Sequence, residues 1–205
     1  MICIGFRLLF LLQYAIIKNE SKLDFGEFHS HMALCRKGGF NVLIIRSVKK
    51  EEQIQQLAEL ASQIWNEYFV EVLSKEQITY MVEKFQSVSA ITEQIQEGYH
   101  YYFIINDMEL IGYFGICKQK DGTMFLSKLY LTKEQRGRGY ASQAFQFIRE
   151  KALDQGCSSI WLTVNRHNQQ AIAVYEHLGM QRIQEQVIDI GNGFVMDDFI
   201  YRFSL

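Results

Sequence analysis

The chain has 205 residues, enough for one domain with a substantial core, and 48% of them are apolar. Its 21 Lys and Arg stand against 23 Asp and Glu, so no basic excess is available for binding nucleic acid through its phosphates. Four scattered cysteines, Cys3, Cys35, Cys117 and Cys157, form no Cys-x-x-Cys pair and no His-Cys cluster, which points to free thiols in a reducing cytoplasm rather than to disulfides or zinc.

Residues 1–40 differ in character from the rest. Residues 8–17 are an apolar run behind Arg7, too short for a membrane span and without a small-residue cleavage site. The preferred reading of 1–40 is an extension outside the domain, translated upstream of a start at Met32; a membrane anchor is the sharper alternative. His29 and His31 read as solvated tail residues rather than metal ligands. The domain is expected at 41–205.

It opens with a β-branched run at 42–45. Ile54, Leu57, Ala58, Ala61, Ile64, Trp65 and Tyr68 then keep helical spacing. Ser74-Lys75-Glu76-Gln77 has the form of a capping box and starts a second helix with Ile78, Met81, Val82 and Phe85 inward. A third helix carries Ile91 and Ile95 and stops at Gly98. Strands follow at 101–106 and 110–117, and Asp121-Gly122 turns the chain into a strand at 123–132.

That strand feeds Arg136-Gly137-Arg138-Gly139, after which Ala141, Ala144, Phe145, Ile148 and Ala152 mark a helix ending near Gly156. Strand, glycine turn and helix start make an anion site: unpaired N–H groups and the helix dipole favour a phosphate, and glycines let it approach closely. A dinucleotide fingerprint would need glycine at Ser142, and a nucleoside-triphosphate loop would need Gly-Lys-Ser/Thr; neither is present. A buried strand at 159–164 precedes a helix capped by Asn168, with Ala171, Ile172, Tyr175 and Leu178 on one side. Two last strands, 182–190 and 194–203, flank the hairpin signal Gly191-Asn192-Gly193. The order β-α-α-α-β-β-β-α-β-α-β-β implies an α/β or α+β sandwich around one central sheet.

Two motifs carry a family resemblance over roughly 42–205. Arg136-x-x-Gly139-x-Ala141 resembles the pyrophosphate loop of the GCN5-related N-acetyltransferases (GNAT). Asn168-x-x-Ala171-x-x-x-Tyr175-x-x-x-Gly179-Met180 is similar to the Asn-x-x-Ala-x-x-x-Tyr-x-x-x-Gly-Phe signature that follows their fifth strand, with Met180 in place of Phe. The resemblance implies a mixed, mostly antiparallel seven-stranded sheet, splayed between strands 4 and 5 and flanked by helices. It also implies acetyl-CoA as co-substrate, with no metal, and a primary amine of a small molecule or peptide as acceptor. Coenzyme A would meet the backbone of Leu129, Tyr130 and Leu131, the loop Arg136, Gly137, Arg138, Gly139, Tyr140, Ala141 and Ser142, and Asn168, Ala171 and Tyr175. Tyr175 matches the general acid that protonates the departing thiolate. Many relatives carry an acid just before the fourth-strand leucine; here Lys128 stands there, which removes one candidate base. Glu67, Tyr68, Asp197 and Asp198 remain as candidates, and at most one of the last two can face the acceptor, because adjacent strand residues point to opposite faces. His167 and His177 read as exposed helix-end residues. The rival reading is a non-catalytic acyl-CoA-binding sensor or partner domain. Neither nucleic acid nor membrane is expected as a partner, and a homodimer is left open.

Overall fold

The structure is a computed structural model that describes residues 32–34 and 43–205. The expectations for 8–17, His29, His31, Cys3 and Cys35 lie outside the described residues. The strands are β1 (Met32–Leu34), β2 (Leu43–Ser47), β3 (His100–Asn106), β4 (Glu109–Lys118), β5 (Met124–Leu131), β6 (Ser159–Asn165), β7 (Gln181–Gly191) and β8 (Phe194–Ser204). The helices are α1 (Glu51–Tyr68), α2 (Lys75–Gln86), α3 (Val88–Gln96), α4 (Tyr140–Asp154) and α5 (Gln169–His177).

All these strands join one sheet in the order β1-β2-β3-β4-β5-β6-β8-β7. Every pairing is antiparallel except that of β5 with β6. The seven expected strands are all present, and β1 adds a short edge strand in the region assigned from sequence to the extension, pairing Met32 with Ile45 and Leu34 with Leu43. The fourth and fifth strands of the expected set are therefore β5 and β6. Residues Met32–Leu205 form one compact unit.

The β5–β6 contact is only two residue pairs long, Met124 with Ile160 and Phe125 with Trp161. The two rings stack at 4.2 Å, and Trp161 Nε1 donates to Thr123 Oγ1 at 3.1 Å, which fixes the vertex. Beyond it the strands diverge and leave the β6-side edge of β5 unpaired. The sheet is covered on both faces. α4 and α5 pack over one face against Leu126, Phe114, Ile160 and Leu162. The helical region 51–96 packs over the other, where Leu57, Ile64 and Ile91 meet Tyr101, Phe103 and Tyr113. A third cluster joins Trp65, Phe69, Ile78 and Met81 to Ile190 of the β7–β8 hairpin.

The helix starts follow their caps. Ser74 Oγ accepts from Gln77 N at 3.1 Å, but the expected reciprocal bond is replaced: the Gln77 amide reaches the Val195 carbonyl at 3.2 Å and ties α2 to β8. Ser87 caps α3 through Ala90 N at 3.3 Å. At Gly112 the chain has room for no other residue, because a Cβ would stand 2.3 Å from the Tyr130 carbonyl on the neighbouring strand.

Candidate active site

The open edge of β5 has a definite polarity. Thr132 N donates to Ile111 O at 2.9 Å, so that peptide faces β4. Alternation then turns the backbone of Leu131 and Leu129 away from β4, toward the splay. The Leu131 carbonyl agrees with this orientation by accepting from Arg136 Nε at 3.1 Å. Leu129 thus presents peptide groups to the opening, where an extended ligand can add as a strand does.

At the C-terminal end of β5 the chain makes a short turn, Lys133–Gln135, and enters α4 through Gly137 (φ 72°) and Gly139 (φ 80°). Both glycines sit in the left-handed region, and a Cβ on either would meet nothing within 4 Å, so open space lies beside them. Arg136 folds back over this turn. Its guanidinium lies 4.5 Å from the centre of the Tyr68 ring, while Nη2 is buried and has no hydrogen-bond partner. An unsatisfied guanidinium nitrogen beside a glycine turn and a helix N-terminus is a ready receptor for a pyrophosphate oxygen. The residues present therefore fit the coenzyme expected from the sequence.

Asn168 caps α5: its Oδ1 accepts Ala171 N at 3.1 Å and also the Tyr68 hydroxyl at 2.7 Å. The end of α1 is thereby tied to the start of α5. Between these elements runs a cleft of about 840 Å³. Its lining includes Leu129, Tyr130, Leu131, Arg136, Gly137, Gly139, Tyr140, Ala141, Ser142, Asn168, Ala171 and Tyr175. Arg138, also expected here, is exposed and is not among the lining residues. The lining comes from both faces of the sheet, and the splay connects them. On the α4–α5 side are the glycine turn and the helix start. On the other is a chamber of Trp65, Phe69, Met81, Phe85 and Tyr99 with the polar groups Gln86, Gln94 and Lys128.

Titratable groups in the cleft are shifted by burial. Desolvation, with neighbouring Tyr68 adding to it, pushes the Tyr175 phenol well above the ordinary tyrosine range, so it stays protonated in the physiological range. Desolvation raises Tyr68 too, against lowering effects of its bond to Asn168 and of Arg136. Asp198 is buried, and desolvation raises its carboxyl to about 6, opposed by a hydrogen bond with Thr163 and reinforced by Asp197. Desolvation brings the Lys128 ammonium down to about 7.

The candidates for the base separate cleanly. Glu67 is exposed and outside the cleft. Asp197 is held by Arg166 Nε at 2.7 Å. Asp198 alone of this adjacent pair lines the cleft, and among the described residues it is the one carboxylate that does. Lys128, set aside from sequence because it replaces an acid, lies in the chamber beside Gln94. The one available signal was a lysine inside an apolar strand. His177 lines the cleft as an exposed residue, and His167 is exposed outside it. No group of three or more metal-ligating side chains stands together among the described residues.

Residues 57–180 match the family model described as Acetyltransferase (GNAT) family. The chain is 36% identical to a bovine thialysine N-epsilon-acetyltransferase over 73 residues, 36% of this chain and 43% of that protein. It therefore spans less than half the length of that relative. It is 25% identical over 150 residues to an uncharacterized N-acetyltransferase of Lactobacillus delbrueckii subsp. lactis, covering 69% of this chain and 87% of the other. Among solved structures, the PaiA N-acetyltransferase of Thermoplasma acidophilum in complex with coenzyme A superposes with a TM-score of 0.67 at 19% identity, over 80% of this chain and 99% of that one. A GCN5-related N-acetyltransferase from Rhodopseudomonas palustris gives 0.64 at 14% identity, over 78% and 94%. At these identities the two structures establish a shared fold.

Proposed function

The chain belongs to the GNAT acetyltransferase family, and from that premise we propose that it transfers the acetyl group of acetyl-CoA to a primary amine of a small molecule or peptide by direct attack. One observation carries the reading: a single cleft joins the glycine turn and helix start to an aromatic-walled chamber, and one carboxylate, Asp198, and the protonated Tyr175 phenol line that cleft. Coenzyme A binds by its pyrophosphate to the N–H groups of 137–142 and to Arg136, and its pantetheine arm lies along the open backbone of Leu129. Arg138, exposed beside the turn, attracts the coenzyme's phosphates from solvent.

Asp198, ionised above its value of about 6, draws the acceptor's ammonium into the chamber at neutral pH. The aromatic walls favour a cation carried on an apolar chain. Once deprotonated, the amine attacks the thioester carbonyl, and Tyr175 donates its proton to the sulfur as the C–S bond breaks. The buried free cysteines Cys117 and Cys157 suit a reducing cytoplasm, where we place the reaction. Among the described residues no helix is long and apolar enough to cross a membrane.

The test is a screen of primary amines with acetyl-CoA, read as release of free thiol. Tight acetyl-CoA binding without thiol release on any amine would favour the sensor reading. Absence of acetyl-CoA binding would overturn both.

A further inference from the structure

Lys128 has surroundings that its place in the sequence alone would not give it. Met124 and Leu126 of β5 point toward the α4 core, and strict alternation would send Lys128 after them. An extra residue intervenes: Leu126 pairs with Ile116 and Lys128 with Gly115, leaving Ser127 as a bulge. The bulge reverses the parity, so Leu129 and Leu131 rejoin the α4 core while Lys128 and Tyr130 face the chamber.

Across the sheet Lys128 is in a row with Gly115 and Tyr101. A Cβ at Gly115 would stand 2.9 Å from the Tyr101 ring, which occupies that space and lies 5.2 Å from Lys128 Nζ. The Tyr99 ring is 5.8 Å away. Nζ donates to Gln94 Oε1 at 2.8 Å and to Ser127 Oγ at 3.1 Å. Gln94 is fixed in that orientation, because its Nε2 donates to Phe85 O at 3.2 Å and its Oε1 also accepts the Tyr101 hydroxyl at 2.5 Å.

Two acceptors use the two N–H bonds of a neutral amine and leave its lone pair over. No carboxylate balances a charge here: the ion pairs among the described residues belong to Arg166. The groups that face Lys128 are Gln94 from α3, Tyr99 and Tyr101 from the β3 side, Gly115 from β4 and Ser127 from β5. Both phenols are kept protonated by burial. The two ring faces favour the cation, but desolvation outweighs them and lowers the affinity of this chamber-facing amine for its proton, so that it can accept and release one.

We infer that Lys128 is the general base, taking a proton from the acceptor's ammonium so that a neutral amine attacks; this rests on the acetyl-transfer reading above. Nζ gains that proton as the acceptor nitrogen gains its lone pair. The nitrogen bonds to the carbonyl carbon, the C–S bond breaks, and Tyr175 protonates the thiolate. The second proton lost from the nitrogen restores the Tyr175 phenol, and Lys128 returns its own to solvent.

The experiment measures kcat/KM against pH and acetyl-CoA affinity for the full chain and for Lys128→Arg and Lys128→Met. The probes are acetyl-CoA with cadaverine, spermidine, L-lysine and a short peptide. Loss of the base is expected to lower kcat by about 10²–10⁴-fold in both variants, with acetyl-CoA affinity kept. The rise in rate near pH 7 should disappear with it. Arginine preserves the cation, so Lys128→Arg with wild-type kcat overturns the proposal and makes the residue a charge anchor. A selective rise in acceptor KM in Lys128→Met overturns it likewise. If the unsubstituted chain acetylates none of these amines, the transfer reading fails on them and the proposal falls with it. ¹⁵N NMR of Nζ gives an independent readout: an ammonium at pH 8.5 overturns the assignment whatever the kinetics show.

Discussion

The Tyr68 hydroxyl donates to Asn168 Oδ1 at 2.7 Å, across a sequence separation of 100 residues. The same oxygen caps α5 through Ala171 N, and the Tyr68 ring carries the Arg136 guanidinium. One tyrosine thus couples the end of α1 to the start of α5 and to the glycine turn. Tyr68→Phe keeps the ring and loses one hydrogen bond, so the expected loss of stability is about 1 kcal/mol. Asn168→Ala loses the cap and strands the hydroxyl, with an expected cost of about 1–3 kcal/mol. The two should be non-additive in a double-mutant cycle read by denaturant unfolding. Simple additivity would mean that the bond contributes nothing to the coupling.

Gly139→Asp tests the coenzyme site. Gly139 is at φ 80° with open space beside it, and Asp is among the residues that tolerate the left-handed region best. The fold should survive, while a carboxylate occupies the place of the pyrophosphate. Acetyl-CoA affinity is expected to fall at least ~100-fold by calorimetry. Gly139→Asn, of the same shape and uncharged, should lose far less. Equal losses in both would make the effect steric, and unchanged affinity in Gly139→Asp would remove the loop from the site.

Lys128 and Asp198 give opposite slopes of stability with pH. Lys128 is brought from 10.5 to about 7 on folding. Between those values the unfolded chain holds a proton that the folded chain lacks, so stability rises with pH, and the full cost is present below about 7. Asp198 is raised from 3.8 to about 6. Through that window the folded chain holds the extra proton, so stability falls as pH rises, with the full cost present above 6. Lys128→Met is expected to stabilise the protein by about 2–4 kcal/mol at pH 7, since each tenfold change in proton affinity is worth about 1.4 kcal/mol and the lost hydrogen bonds offset part of the gain. Asp198→Asn should stabilise it at pH 8 and not at pH 4. Thermal unfolding at pH 4, 7 and 10 checks both signs; a Lys128→Met protein no more stable at pH 7 than at pH 10, relative to the unsubstituted chain, would contradict the first.

Much of this molecule was legible in its residues, for reasons that differ by element. The strands from 100 onward and the helices from 51 onward announce themselves by periodicity and by Gly, Asn and Asp at their ends, which are local signals. The glycine turn and the Asn168–Tyr175 helix were found for the same reason. What stayed hidden depends on partners distant in sequence. The Ser127 bulge is a property of the register with β4, and without it Lys128 reads as a substitution that merely deletes an acid. Asp197 and Asp198 could be separated only once the strand was placed and Arg166 was found on the first of them. Gln77, expected to complete its own cap, was taken by Val195 on β8. The strand at Met32–Leu34 has no periodicity of its own and exists through its pairing with β2. We propose on that ground that the domain begins at Met32, and a chain starting there is expected to bind acetyl-CoA as the full chain does.

Tyr175 is the group on which the catalytic reading turns. It lies on α5, seven positions after the cap Asn168, so nearly two helical turns bring both to one face. It lines the cleft, and burial keeps its hydroxyl protonated, which is the state a general acid requires. Negative charge develops on the coenzyme sulfur only as the C–S bond breaks, so a donor there stabilises the transition state more than the ground state. Tyr175→Phe keeps the ring against the α4 core and removes the donor. The expected result is a fall in kcat of about 10²–10⁴-fold with acetyl-CoA affinity and melting temperature nearly unchanged. A structural role would give the opposite pattern, with stability lost and kcat kept. Equal kcat values in the two proteins, with single-turnover kinetics showing chemistry to be rate-limiting, would make a water molecule the proton source and leave Tyr175 as a packing residue.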